Sequence, residues 1–199
     1  MNNSEVTLAD VLKTERLARG KSKPYQLEQE LRGLDRIAQA MSASPEKVLD
    51  MLCELALDAT GSHSAGVSWL LPGDDGFRWI AIAGRLSSHV GTVAPRFHSP
   101  CGTVLDRHAL QLFSHPERYF QWLECAGLPV PEGMIVPLFS PGGKAQGTFW
   151  VVRHEAGPPY DWQDAQMVTA FVTYASSALQ ILGWFKGETD GTLPSLART

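Results

Sequence analysis

Two stretches near the middle of the chain are apolar on almost every position. Residues 134–139 and 148–152 flank a Ser-Pro-Gly-Gly-Lys turn, and their Val, Ile, Phe and Trp content favours strand over helix. They predict a β-hairpin covered on both faces, hence central in a sheet. A second hairpin is predicted from 65–71 and 77–83 around Pro-Gly-Asp-Asp-Gly, and a brief strand at 110–113. Helical spacing appears on either side. Residues 7–20 place Leu8, Val11, Leu12 and Leu17 among charges, with Thr7 as N-cap and Gly20 as stop. Leu27, Leu31, Leu34, Ala38 and Met41 then fall at alternating four- and three-residue steps, a heptad seam that packs on its own domain or also pairs with a second subunit. Ser44-Pro45 opens a helix with Val48, Leu49, Leu52, Leu55, Ala56 and Ala59 on one face, ended by Gly61 and holding Cys53 as a small buried hydrophobe.

The other elements are shorter until the end. Residues 85–100 read as a loop, and Ser99-Pro100 caps a short helix over 101–107. Ser114 with Glu117 forms a capping-box pattern, predicting a helix through Tyr119, Phe120, Trp122 and Leu123 that stops at Gly127. Asp161 with Asp164 starts a long helix carrying Val168, Phe171, Val172, Ala175, Leu179 and Leu182. The sum is an α+β domain with helices on the sheet. Its expected divisions are a helical lead-in with a dimerisation helix over 1–43, the domain over 44–186, and a polar, mobile tail over 187–199.

Composition narrows the class. Of 199 residues 44% are hydrophobic and 19% charged, so the chain folds. The net charge is −4 and its seventeen Lys and Arg are interspersed with acids, which argues against nucleic acid and against a polybasic membrane patch. The start lacks a signal-peptide pattern and no apolar run reaches bilayer length, so the expected location is cytoplasmic. Cys53, Cys101 and Cys125 form neither a disulfide framework nor a zinc pair.

In the segment F-H-S-P-C-G-T-V-L-D-R-H-A-L-Q-L-F-S-H-P-E-R-Y-F, residues 97–120, with V-P-L-F and G-G-K-A-Q-G-T-F-W-V-V of the central hairpin, the chain resembles the GAF domain family. The resemblance covers roughly 44–183. It is similar to the bacterial branch that stands at the front of sensor proteins. It implies a central antiparallel sheet of five or six strands in a GAF/PAS-like arrangement. The terminal helices would lie on one face and form a homodimer interface through Leu27, Leu31, Leu34, Ala38, Met41, Phe171, Ala175, Leu179 and Leu182. Short helices and loops would cover the other face and enclose a small-molecule pocket.

The same resemblance makes residues 85–126 the pocket roof, with ligand contacts expected from Phe97, His98, Cys101, His108, Phe113, Tyr119 and Trp122, and from Met134 and Trp150 below. From the sheet below, Trp79 is offered to the pocket together with these two. The function implied is a non-enzymatic regulatory domain in signal transduction, with no cofactor, an unidentified small ligand, and a signalling partner such as a sensor kinase. The alternative is a ligand-free dimerisation or interaction module. His98, Cys101, His108 and His115 lie three, seven and seven residues apart, which matches no compact metal motif. Bilin-carrying relatives often place histidine after the attachment cysteine, whereas Gly102 follows Cys101 and Ala126 follows Cys125. An enzymatic reading rests on Cys101 at a helix N-terminus, where the dipole favours thiolate. Its C-G-T and the distance to Cys125 resemble part of the pattern of free methionine-(R)-sulfoxide reductases, with Cys125 as nucleophile. The third, upstream cysteine of those enzymes is missing, since Gly91, Thr92 and Val93 occupy that neighbourhood.

Overall fold

Residues 6–19, 27–44, 47–127, 129–140 and 142–181 are described by the structure, a computed structural model. Among the described residues, six α-helices, α1 Leu8–Val11, α2 Glu15–Arg19, α3 Leu27–Ala43, α4 Val48–Thr60, α5 Pro100–Arg107 and α6 Trp162–Ile181, accompany six strands. The strands are β1 Ser64–Leu70, β2 Gly76–Gly84, β3 Val93–Pro95, β4 Gln111–Ser114, β5 Glu132–Phe139 and β6 Ala145–Arg153. They form one antiparallel sheet in the order β3-β2-β1-β6-β5-β4. The predicted central hairpin is β5–β6, and β6 pairs with β1 in the middle of the sheet.

Alternation along the strands divides the apolar residues between two cores. Ala65, Val67 and Trp69 of β1, Met134, Val136 and Leu138 of β5, and Phe149 and Val151 of β6 pack with α3, α4 and α6. On the opposite face, Phe77, Trp79, Ile135 and Trp150 pack under α5 and the loops. Both strands of the central hairpin are therefore apolar throughout because each face meets a different core.

Two predicted helices are broken for identifiable reasons. The helix expected over 7–20 splits into α1 and α2 because Leu12 pairs with Phe113 at the edge of the sheet. There the Lys13 N–H donates to the Leu112 carbonyl at 2.8 Å and Leu112 N–H donates to Thr14 Oγ1 at 3.1 Å. Pairing the exposed edge of β4 outweighs continuing the helix. The helix expected from Ser114 is replaced by 3-10 turns at Pro116–Arg118 and Gln121–Ala126. Ser114 stays in β4 and donates to the Pro131 carbonyl, while His115 turns at a left-handed φ of 49° immediately before the Pro116–Arg118 turn. The loop expected over 85–100 contains a strand, β3, on the far edge.

Other boundaries follow their caps. Ser99 Oγ accepts from Gly102 N–H at 3.0 Å, with Pro100 in the first turn of α5. Asp161 Oδ1 accepts from Gln163 and Asp164 N–H, and Asp164 Oδ2 accepts from Asp161 N–H, a reciprocal cap for α6. Gly61 closes α4 at φ 61°. Pro45, expected in the first turn of α4, and the tail over 187–199 lie outside the described residues. No helix among the described residues is long and apolar enough to cross a membrane.

Candidate functional site

The roof-side core holds a partly open cavity of about 70 Å³. Its sheet side is built from Trp79, Gly133, Ile135, Trp150 and Val152, and α5 contributes Pro100 and Cys101. Phe113 and Pro116 close one side, and the half-buried Trp122 and Leu123 cover it from the 3-10 turn. None of its thirteen described lining residues is charged.

Two local features of the sheet aim the indoles. The register of β1 against β2 slips between Val67 and Ser68, leaving Ile80 as an extra residue; Ile80 and Ala81 then both enter the helix-side core while Trp79 faces the roof. Opposite Trp150 stands Gly66, where any Cβ would overlap the indole ring, so the ring lies flat across β1. Trp150 Nε1 donates to Ser68 Oγ at 3.0 Å, and the two indoles meet with centroids 5.6 Å apart.

Three fastenings hold the roof. The buried Arg96 donates from Nε to Asp74 Oδ1 at 2.9 Å and from an Nη to Asp106 Oδ1 at 2.6 Å, tying the β1–β2 turn to α5. Trp122 Nε1 donates to the His98 carbonyl at 3.1 Å, and the His98 ring packs on Tyr119 and Phe120. Gly102 passes so close to the Arg96 carbonyl that a Cβ there would overlap it. These contacts account physically for much of the F-H-S-P-C-G-T stretch.

Of the residues expected to contact a ligand, Cys101, Phe113, Trp122 and Trp150 line this cavity. His98 and Tyr119 stand behind its wall. Three do not belong to it. Phe97 is 71% exposed beneath the Arg96 guanidinium, His108 stacks on Phe139 outside the roof, and Met134 is buried in the helix-side core. Met134 fails by strand parity, since its neighbours Gly133 and Ile135 are the ones that face the cavity. Trp79, offered from the sheet below beside Met134 and Trp150, lines the cavity, and Leu86 and Val130 complete the lining.

The histidines have a different explanation from ligation. His98, His108 and His115 have φ of 51°, 50° and 49°, so each makes a left-handed turn. His115 Nδ1 lies 3.0 Å from Glu117 Oε1. Among the described residues no three His, Cys, Asp or Glu groups converge.

Cys101 Sγ donates to Ser68 Oγ at 3.7 Å, and burial pushes its thiol above the ordinary value despite the start of α5. The expected helix-dipole activation is outweighed by desolvation. Cys53 is also held protonated by burial. The Cys125 side chain lies outside the described residues.

On the helix face, Phe171 is buried in the core against Gly33, where a Cβ would stand 2.6 Å from its ring. It cannot reach a partner. Leu34 and Met41 pack partly on the same core and Ala38 is half-buried. Leu27 and Leu31 are 53% and 55% exposed. Among the described side chains of α3, Ile37 is fully buried, and the heptad reading passes over it. The side chains of Ala175 and Leu179, and the whole of Leu182, lie outside the described residues.

A family model described as GAF domain matches residues 42–180. Among solved structures, the chain is similar to the GAF domain of an Acinetobacter phosphoenolpyruvate-protein phosphotransferase, at 16% identity and a TM-score of 0.64, covering 85% of this chain and 100% of that one. The second GAF domain of DevS from Mycobacterium smegmatis aligns at 18% identity and a TM-score of 0.60, covering 72% of this chain and 98% of that one. The Stigmatella aurantiaca phytochrome photosensory core module aligns at 11% identity and a TM-score of 0.64, covering 86% of this chain and 40% of that one. No curated protein matches the chain.

Proposed function

The chain belongs to the GAF domain family, and on that footing we propose that it is a non-enzymatic regulatory domain that senses a small molecule in the roof cavity and signals as a homodimer. The carrying observation is the apolar cavity between two indoles of the sheet and a roof tied by the Arg96 ion pairs and the Trp122 indole. A ligand that prefers one roof arrangement shifts the population toward it, and the terminal helices on the opposite face pass the change to a partner protein such as a sensor kinase. The pairing surface is the face of α3 and α6 that bears Leu27, Leu31, Trp162 and Tyr174, all exposed. The site of action is the cytoplasm. Burial raises the Cys101 thiol above its ordinary value, which disfavours a thiolate at that position.

One observation favours a second reading. Ligand pockets usually measure about 300–1,000 Å³, and 70 Å³ is well below that, as befits an interaction module whose roof is filled by its own side chains. Native mass spectrometry of freshly purified protein against its denatured mass separates the two. A reproducible excess mass on a dimer supports the sensor; a bare dimer favours the module; a monomer removes the pairing from both. Turnover of free methionine sulfoxide with thioredoxin, abolished by Cys125→Ser, would overturn the non-enzymatic reading.

A further inference from the structure

Two histidines meet at one end of the sheet, and each uses a ring nitrogen as an acceptor. His154, the first residue after β6, donates its backbone N–H to His63 Nδ1 at 2.9 Å, so that nitrogen carries no proton. His154 Nδ1 lies 2.9 Å from the Pro129 carbonyl and must donate there, which leaves Nε2 to accept the Ser64 hydroxyl at 2.8 Å. Ser64 Oγ in turn accepts the Leu86 N–H at 3.0 Å. The two rings stack with centroids 6.2 Å apart; Ser64 and His154 are buried and His63 is half-buried. Leu86, and Val130 next to Pro129, are both walls of the roof cavity, so this cluster joins two of its walls to the sheet. The ionisable groups that face His154 are His63 from the turn before β1, Arg85 after β2 and Glu155 beside it, and Arg85 pairs with Glu155 at 2.6 Å. Arg153 turns to the other face, over the Tyr160 ring and onto the Thr60 carbonyl.

We propose that His63 and His154 form a proton-operated latch on the roof cavity: neutral, they hold the Leu86 and Pro129 segments against the sheet; protonated, they release both and widen the cavity. A proton on His63 Nδ1 sets a donor against the His154 N–H, and a proton on His154 Nε2 sets one against the Ser64 hydroxyl. The Ser64 proton then has no acceptor at the ring, and rotation toward another withdraws the lone pair offered to the Leu86 N–H. Stacked imidazolium rings repel, and a charged His154 ring gains by turning out to water, which frees the Pro129 carbonyl. Burial holds the folded His154 ring below the ordinary 6.5, so the release belongs below that pH. The latch operates whether the cavity is filled or empty, and so stands independently of the sensor reading.

The test follows the full chain by NMR from pH 8 to 5, with ¹⁵N in amides and imidazoles and ¹³C in leucine and valine methyls. The Leu86 and His154 amides report directly, since their acceptors are the Ser64 hydroxyl and the His63 ring. After correction for intrinsic rates, their exchange is expected to rise below pH 6.5 by about tenfold more than that of Val136, which lies in the helix-side core. The Leu86 and Val130 methyl signals are expected to move at the midpoint at which the ring nitrogens titrate. His154→Asn should remove the excess at Leu86, and His63→Asn the excess at the His154 amide. Should either variant fail to fold, the wild-type midpoints still decide. Amides that follow Val136 throughout, or an excess at Leu86 that persists in His154→Asn, would overturn the latch. Rings that titrate while both methyl signals stay in place would overturn the widening. The native mass spectrum decides the sensor reading separately.

Discussion

Single side chains set the shape of the roof cavity, and Gly66 has the clearest effect. Any side chain there meets the Trp150 ring, which has Ser68 on its nitrogen and Trp79 beside it. Gly66→Val is expected to displace the indole and lower stability by about 2–3 kcal/mol, checked by thermal unfolding with near-ultraviolet circular dichroism. His154 controls a pH response. The Pro129 carbonyl can only accept, so His154 Nδ1 carries the proton and Nε2 accepts from the Ser64 hydroxyl at 2.8 Å, while Ser64 Oγ takes the Leu86 N–H. Burial holds the folded ring below the ordinary 6.5. As pH falls through 6.5 the unfolded chain binds that proton first, so stability present above 6.5 is lost toward the lower folded value and levels off beneath it. Urea midpoints measured from pH 8 to 5 are expected to show this fall, and His154→Asn to flatten it.

Among the elements, the lead-in and the roof bury Val11, Leu17, Val104 and Leu105 in the two cores and add a few polar ties that can be tested one at a time. Thr14 Oγ1 accepts from Leu112 N–H and lies 3.1 Å from Gln111 Oε1, to which it donates, while Arg16 pairs with the mostly buried Glu132. Thr14→Val should free this edge of β4 at a cost of about 1 kcal/mol, seen as faster amide exchange at Leu112 with little change in α4. Arg96 fastens the roof through two carboxylates that are themselves half-exposed or more. Arg96→Met is expected to speed exchange through residues 85–107 and to lower global stability by about 2 kcal/mol, because hydrogen bonds to charged groups contribute about 1.5–3 kcal/mol. A uniform acceleration across the sheet would count against a local role.

For the whole molecule, the two faces of the sheet do different work: one is a closed helical core, the other a lightly fastened roof. The proposed pairing would use the outer side of the helical layer. After Asp164, α6 carries no charged residue, although Gln166, Thr169 and Thr173 are exposed, and Leu27 and Leu31 stand out from α3. Leu31→Glu is expected to dissociate the dimer in sedimentation while leaving the melting temperature nearly unchanged, since Leu31 supports no core. Leu34→Glu would confuse the two effects, because Leu34 packs partly on the core.

How much of this was legible follows from the range of each interaction. Strand propensity, turn residues and caps act over a few positions, so the two hairpins, the caps of α5 and α6 and the α+β class could be read along the chain, as could the aromatic roof segment by resemblance. Pairing across the sheet acts between residues remote in sequence. Leu12 met β4 and broke a helix, the slip at Ile80 turned Trp79 toward the cavity, and parity sent Met134 to the opposite core. His98, His108 and His115 each sit at a left-handed turn, a backbone conformation that their spacing in the sequence did not reveal. The sequence alone determined which residues are apolar and where the chain turns; tertiary structure decided which face each met, since a one-residue change of register exchanges the two sides of a strand.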